Sequence, residues 1–537
     1  MSKKTSVNYS RKLKDFLGAG TVRKAGILSQ KFGNEKNPVV TGLEYDSRQV
    51  KRGNLFFALP GLHTNGVKYI DSAIKNGAAV IVHGEDYEPT PPAGSEAAYI
   101  KVKDARYAMS AMADSFYGHP SRHMTIIGVT GTEGKSTTVC LIYQLLKLAG
   151  CKAGFISTVM LGDGKNEIWN PEHQTTPEAV TVHKLLAEMK NNGVEYAVIE
   201  SSSHGLSKRT NRLGDVAFDV AVLTTMNHDH MEFHGTWEQY RSDKAELFRA
   251  LDLKTYDKNE TTPRFAVANN DDPSLNYFTN VTKHKTYTYS THGGNSDLSI
   301  EIMENGSHGN WYEVKAAPWG NHFTVRDRLP GAFNPGNVLA AILVVSGLLS
   351  IEPKDLAAHI PYLKPVRGRM TAIDQGQPFE LIVDYAHTPS SFKTVFPPLK
   401  NRITASGGRI ISLFGSAGER DTNKRSEQGK IAAKYSDIVF LCDEDPRGED
   451  PAAILEEIAC GIKDKKREET LFLIPERPLA IRRALSLAKP GDLVILLGKG
   501  HENSIIYADK TISYDEINEA KNALAEMGYK ENFNPDF

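Results

Sequence analysis

Apolar positions along this chain gather in short unbroken runs, and amphipathic segments of helix length separate them. From residue 124 the runs MTIIGVTG, EYAVIES and DVAVLTTMN each end in small or polar residues. Runs of this kind, without alternation, predict strands buried on both faces of a parallel sheet. The C-terminal ends of such strands are where open α/β sheets place their chemistry. The rhythm restarts beyond LKPVRGRM (363–370) with FELIVDYAH, GRIISLFGS, SDIVFLCDED and GDLVILLGKG, separated by helical segments such as Asn423–Tyr435. The first hundred residues mix shorter strands (VTGLEYDSR, GNLFFALPG, AAVIVHG) with a helix over Ile70–Asn76, and GHPSR closes that region near residue 120. The pattern predicts an α/β protein of three domains: a mixed α/β domain over 1–120, a parallel sheet over 121–366, and a doubly wound, Rossmann-like domain over 367–537.

Composition narrows the class. A chain of 537 residues with 40% hydrophobic content is globular and has room for several cores. Lysine plus arginine (64) nearly balances aspartate plus glutamate (65), so nothing global points to a nucleic-acid partner, and any anion site must be local. The opening MSKKTSVNYSRKLKDFLGAG lacks the apolar core of a signal peptide. The longest apolar stretch, Ala340–Ile351, is interrupted by Ser346 and Gly347 and is too short to span a bilayer. A soluble cytoplasmic protein without a membrane partner is expected. Four cysteines with no C-x-x-C pair exclude a disulfide scaffold and a zinc ribbon.

The chemistry lies at the predicted strand ends. GVTGTEGKSTT (128–138) joins an apolar run to a helix, the setting in which glycine amides and a helix N-terminus wrap a phosphate. Lys135 would supply a point charge and Ser136 a magnesium ligand, as in a P-loop ATPase-like domain. The spacing is short for the common form of this loop, since Val129 stands where the first glycine belongs. The alternative is a glycine-rich turn that only caps a helix. Glu200 ends the next run and could hold Mg²⁺, or could be a capping or surface residue. NHDHMEFHG crowds His228, Asp229, His230, Glu232 and His234 together. It lacks the H-E-x-x-H helix geometry of a zinc site, so histidines satisfied within a polar loop are the default. In the last region VDYAHTP (Asp384, His387), GSAGERD, DEDPRGEDP and GKGHE put charge after every strand, which suggests a second polar ligand facing the first site.

TGTEGKSTT, ESSSHGL, NHDHMEFHG, YRSDKAELF, FNPGN, DYAHTP and GKGHE occur in an order that resembles the Mur ligases, the ATP-dependent amino-acid ligases of peptidoglycan precursor synthesis. The likeness runs from about Leu43 to Ala520 and is strongest to the members that add the third residue of the peptide. It implies a UDP-binding first domain, a central ATP-binding domain and a C-terminal domain that takes the amino acid. Gly131, Thr132, Glu133, Gly134, Lys135, Ser136 and Thr137 would cradle the ATP phosphates. Glu200 and His230 would ligate Mg²⁺ with Ser136, and Lys244 matches a lysine that this family carbamylates, which turns a cation into a further metal-binding carboxylate. Asn334, Asn337, Arg369 and Asp384 resemble nucleotide contacts. The nucleotide-sugar substrate, a UDP-N-acetylmuramoyl dipeptide, would lie on Tyr45, Ser47, His63, Thr64 and Asn65, with Thr175, Thr176, Ser202 and Arg212 completing the pocket. Arg420, Glu444, Asp445, Arg447, Gly498 and Glu502 would receive a diamino acid. A monomer is expected.

Three departures accompany the resemblance. Glu133 replaces the family's usual asparagine. LSKRTN (206–211) runs about two residues longer than usual, so Arg212 is chosen over Arg209 by alignment. Glu444-Asp445-Pro446-Arg447 stands where members adding diaminopimelate show D-N-P-R: Arg447 could pair with a distal carboxylate, and Asp445 would favour a distal ammonium. The choice among diaminopimelate, lysine and ornithine stays open at this point. The rivals are another ligase of this fold, such as a folylpolyglutamate synthase, and a non-catalytic nucleotide-binding module.

Overall fold

The computed structural model describes residues 9–31, 37–61, 65–90, 95–171, 174–227, 231–253, 258, 262–306 and 309–529. Three α/β domains are each organised on a sheet of their own. The first sheet has five strands in the order Ile27–Lys31, Ala98–Val102, Val80–His83, Asn54–Phe57 and Gly42–Glu44. All neighbours are parallel except Ile27–Lys31, which runs antiparallel along one edge. Asn54–Phe57 and Val80–His83 are buried at every position, the outcome their unbroken apolar runs demand. The helix read over Ile70–Asn76 is observed at Ile70–Lys75.

The central sheet has eleven strands. Its middle sets Ala153–Ile156, Tyr196–Glu200, Thr125–Thr130, Val220–Leu223, Phe265–Asn269 and Thr286–Ser290 side by side, all parallel. Both margins depart from the all-parallel expectation. Met160–Gly162 and Glu167–Trp169 extend one side antiparallel; on the other, Leu298–Gly306 joins Thr286–Ser290 in parallel, and Gly309–Ala316 and Asn321–Asp327 then follow it as an antiparallel meander. Gly309–Ala316 shows the cause: its positions alternate between buried and more exposed, so one face meets the core and the other meets water. Antiparallel hairpins tolerate that asymmetry, whereas parallel strands are covered on both faces.

Helix Lys135–Leu148 packs on helix Asn334–Leu349 over this sheet. The longest apolar stretch of the chain is therefore largely a buried core helix. Among the described residues no single helix is long and apolar enough to cross a membrane. In register, Glu200 lies opposite Val129 and Leu223 opposite Thr130, so three strands end together at one edge.

The last sheet runs Thr371–Ile373, Glu380–Asp384, Leu493–Leu497, Ile410–Phe414, Ile438–Leu441 and Leu471–Leu473, and only Thr371–Ile373 is antiparallel. Leu493–Leu497, the latest of these in sequence, is inserted between Glu380–Asp384 and Ile410–Phe414. Loops leaving either side of such an insertion diverge and open a crevice at the strand C-termini. Helix Asn423–Tyr435 forms where its pattern places it.

Candidate active site

The phosphate-type loop is short because its strand continues through the position where a longer loop would need glycine. Val129 is fully buried and paired with Glu200 and Val222, and the turn begins only at Gly131. Gly131 has φ 144° and a Cβ there would lie 1.9 Å from Thr224 Oγ1; Gly134 has φ 80° and a Cβ there would lie 2.7 Å from Asn337 Oδ1. Both positions exclude side chains by conformation and by space. Thr224 Oγ1 donates to the Glu133 carbonyl (2.5 Å), the Thr132 amide donates to Thr225 O (2.5 Å), and Thr132 Oγ1 donates to Asn227 O (3.0 Å). The loop is thus held from the neighbouring strand end, and it delivers Lys135 and Ser136 to the N-terminus of a fourteen-residue helix.

Around it the functional side chains converge. Lys135 Nζ donates to Thr132 O at 2.7 Å. Ser136 Oγ donates to Glu200 Oε1 at 2.9 Å and receives Arg369 Nη2 at 3.2 Å. Glu200 is buried, and its Oε2 accepts from the Thr158 amide at 2.7 Å. Lys244, on helix Trp237–Ala250, is only 2% exposed; its Nζ donates to Gly131 O at 2.6 Å and lies 4.7 Å from the centre of the Tyr240 ring. Thr137 is buried in the first helical turn. Asn337 Oδ1 accepts from Thr138 Oγ1 (3.1 Å) and its Nδ2 donates to Asn334 Oδ1 (3.0 Å), while Asn334 donates to Pro330 O (2.7 Å).

Arg369 comes from the C-terminal domain and lies over the Tyr385 ring at 4.7 Å. Asp384 accepts from the Met370 and Ala386 amides, both at 2.7 Å. Burial holds its carboxyl above the usual carboxylate range, although Arg369 pulls the other way.

Of the histidine-rich stretch, His228, Asp229 and His230 lie outside the described residues, as do His63 and Thr64. His234 is fully buried, with Nδ1 2.7 Å from Asp243 Oδ2 and Nε2 3.0 Å from Ser203 Oγ. It is a satisfied structural histidine. Among the described residues no cluster of three or more His, Cys, Asp or Glu could hold a metal.

Beside Glu200, Thr176 Oγ1 donates to Glu200 O (2.8 Å) and accepts from the Ser202 amide (3.0 Å) and from Ser202 Oγ (2.9 Å). Arg212 Nη1 donates to Thr176 O at 2.8 Å, and its Nη2 pairs with Glu178 at 2.9 Å. Arg209 instead covers the Phe233 ring. Glu178 also meets Arg106 of the first domain at 3.5 Å, so one acid ties both domains. Sequence reasoning missed Glu178 and Arg106, since neither sits in a recognisable motif. Tyr45 packs at the margin of the first domain's core, the Ser47 carbonyl accepts from Asn76 (2.9 Å), and Asn65 caps the turn Gly66–Tyr69. Thr175 shares a cleft with Thr158, Tyr385, His501 and Glu502, at the junction of the central and C-terminal domains.

Across that junction lies a second polar group. Lys499 Nζ is fully buried, 2.9 Å from Asp445 Oδ1 and 2.5 Å from Glu502 Oε2. Glu502 Oε1 accepts from Tyr385 OH at 3.1 Å, and Asp445 Oδ1 accepts from the Ile506 amide at 3.0 Å. Burial alone would lower the Lys499 pKa, but Glu502 and Asp445 outweigh it and hold it above the ordinary value. Glu444 is 6% exposed, and its Oε2 lies 2.8 Å from where a Cβ on Gly498 would fall. Arg447 has φ 54°, and its amide donates a hydrogen bond to Ile506 O at 2.9 Å. Arg420 is exposed on the loop after Ile410–Phe414. Lys499 is the second residue of GKGHE, between Gly498 and Gly500, and the resemblance draws only Gly498 and Glu502 from that motif.

Glu133 gains a partner that its motif does not reveal. Its Oε2 accepts from Thr394 Oγ1 at 3.3 Å, and Thr394 belongs to helix Pro389–Ala405 of the C-terminal domain. A half-exposed hydrogen bond of this sort is worth about 0.5–1.5 kcal/mol. Glu133→Asn, one methylene shorter, and Thr394→Val should each lower turnover by roughly 2- to 10-fold. The double variant should be no worse than either single, because both remove the same contact. Steady-state ADP release checks this, and additive losses would show that the two residues act separately.

A glycine loop and helix N-terminus at the C-terminal edge of a parallel sheet, with Lys135, Ser136 and Glu200 converging, define a P-loop type nucleotide-binding protein. The comparisons carry this further. Residues 129–345 match the Mur ligase middle domain, 368–500 the Mur ligase glutamate ligase domain, and 39–117 the Mur ligase family catalytic domain. The chain belongs to the Mur ligase family. It is 48% identical over 511 residues to a UDP-N-acetylmuramyl-tripeptide synthetase of Treponema denticola, covering 92% of this chain and 95% of that one. A UDP-N-acetylmuramoyl-L-alanyl-D-glutamate--2,6-diaminopimelate ligase of Geobacillus kaustophilus is 36% identical over 494 residues, covering 92% and 96%. A solved structure of a ligase of that same name superposes with TM-score 0.56 and 25% identity, covering 91% of this chain and 96% of the other.

Proposed function

We propose that this protein is the ATP-dependent ligase that joins a diamino acid to UDP-N-acetylmuramoyl-L-alanyl-D-glutamate in peptidoglycan precursor synthesis. The observation that carries the reading is the convergence of Lys135, Ser136, Glu200, Lys244 and Arg369 on one loop, with the acid- and base-rich group around Lys499 across the same cleft. The proposed enzyme is cytoplasmic and monomeric and needs no nucleic-acid or membrane partner.

A carboxylate oxygen of the D-glutamate side chain attacks the γ-phosphorus of ATP, forming an O–P bond as the bond to ADP breaks. Lys135 and the loop amides offset the charge that builds on the phosphoryl oxygens. The α-amine of the diamino acid then attacks the acyl phosphate carbon. Phosphate leaves, the amine loses a proton, and the amide remains. Ser136 Oγ and Glu200 Oε1, 2.9 Å apart, are a hard oxygen pair of the type that suits Mg²⁺ beside phosphates. When bound there, Mg²⁺ would neutralise charge on the phosphate oxygens. His230, and Lys244 as a carbamate, belong to the same proposed set. Thr176, Ser202 and Arg212 would orient the dipeptide end of the nucleotide, and Tyr45, Ser47, His63, Thr64 and Asn65 its uridine end, while Arg369 and Asp384 hold ATP from the C-terminal side.

Purified protein is mixed with ATP, Mg²⁺, the dipeptide nucleotide and, in turn, diaminopimelate, lysine and ornithine. ADP release coupled to a tripeptide nucleotide of the right mass is expected with at least one. No ADP with any of the three would sink the reading, and activity on a folate instead would favour the folylpolyglutamate rival.

A further inference from the structure

We infer that Lys499 is a positioning residue that sets the charge the amino-acid pocket presents, and thereby its preference among diamino acids, an inference that rests on the ligase reading above. Three acids line this group: Glu444, Asp445 and Glu502, buried or nearly so. Lys499 bridges two of them with one ammonium at 2.9 and 2.5 Å. Its side chain is fully buried, and the two carboxylates keep it protonated. Glu502 Oε1 also accepts from Tyr385 OH, and Asp445 Oδ1, the oxygen that meets Lys499, also accepts from the Ile506 amide. Glu444 Oε2 differs, for it is buried without a hydrogen-bond partner.

This arrangement adds a second acid to the one the sequence singles out. On sequence alone Asp445 is the residue expected to draw a distal ammonium. In the structure its Oδ1 already serves Lys499 and Ile506, so a distal ammonium is received by Asp445 Oδ2 together with Glu444, and Gly498 supplies the space beside Glu444. Tyr385, Glu502, Lys499 and Asp445 form one chain across the ends of strands Glu380–Asp384, Leu493–Leu497 and Ile438–Leu441, so the bridge fixes the pocket's shape as well as its charge. A bridge with only a packing role could be replaced by apolar side chains, often at no loss of stability. A bridge that tunes recognition cannot.

Diamino acids differ in charge. A monocarboxylic one such as lysine carries net +1, and a dicarboxylic one such as diaminopimelate is net neutral. Removing the Lys499 cation makes the pocket more negative and favours the first; removing the Asp445 anion favours the second.

The test is the ratio of kcat/KM for lysine to kcat/KM for diaminopimelate, with KM for ATP followed in parallel. Lys499→Met should raise the ratio, and Asp445→Asn should lower it, each by at least about threefold, a modest effect for a unit charge at contact distance. The double variant should return towards the wild-type ratio, and KM for ATP should stay within twofold in all of them. Asp445→Asn keeps the side chain's shape and gives a reading even if Lys499→Met does not fold. Shifts in the same direction, or none, in variants with normal thermal unfolding overturn the inference. Wild-type protein inactive with every diamino acid overturns the ligase reading first, and this inference with it.

Discussion

Lys135→Ala is expected to lower kcat/KM by about a thousandfold while the fold survives. The loop presents backbone amides and a helix N-terminus, which favour an anion, but Lys135 brings the one full positive charge in Gly131–Thr137. Removing a single preorganised donor from a developing oxyanion typically lowers the rate by about 10²–10³-fold. A lysine facing migrating phosphoryl oxygens belongs at the upper end of that range. Stability should barely change: Lys135 is partly exposed, and its Nζ contact to Thr132 O at 2.7 Å is a loop contact of about 1 kcal/mol. Arginine should not restore the rate, because its planar fork is a different shape from a compact ammonium. Steady-state ADP release beside thermal unfolding measures both effects. A folded Lys135→Ala variant retaining a tenth of the activity would remove Lys135 from the chemistry.

The sequence made the strand ends legible because a parallel strand must be apolar along its length and can turn polar only where it leaves the sheet. That is why Glu200, Asp384 and the loops after Phe414, Leu441 and Leu497 could be named in advance. The missing loop glycine was legible too once Val129 is seen as buried strand. The antiparallel margins were harder, for the alternation in Gly309–Ala316 is faint and nothing near it marks a site.

The residues that escaped share one property: their partners are distant in sequence. Thr394 meets Glu133 across 261 positions, and Lys499 meets Asp445 across 54. Glu178 joins Arg106 and Arg212 from two domains. No local pattern announces a side chain whose purpose is set by a remote strand end. Arg212 and Arg209 make the same point, because only the folded chain separates the arginine beside Thr176 from the one stacked on Phe233.

Lys244 is the residue whose sequence context and structural setting differ most, and its replacement carries the second large expected effect. In YRSDKAELF it reads as a surface helix lysine, yet it is 2% exposed, with its ammonium 2.6 Å from the Gly131 carbonyl of the phosphate loop. Lysine is almost never fully buried unless something engages its charge. Here the contact is with the turn that would hold phosphate, where a permanent cation and a carboxylate would act in opposite senses. On the proposed reading the amine adds CO₂ and loses a proton, so the side chain ends in a carbamate able to share the metal with Glu200. Lys244→Ala and Lys244→Met should then both lower turnover by about 10²–10³-fold, as losing a group that stabilises the transferring phosphoryl would. The methionine variant keeps most of the buried stem, so its thermal unfolding should stay near that of the parent even if the alanine cavity destabilises the helix. Bicarbonate distinguishes the carbamate from a plain ammonium. Wild-type activity should fall in CO₂-depleted buffer and recover on adding bicarbonate, while neither variant responds. Wild-type activity indifferent to CO₂, together with a normal rate for Lys244→Met, would reduce Lys244 to a structural prop of the loop.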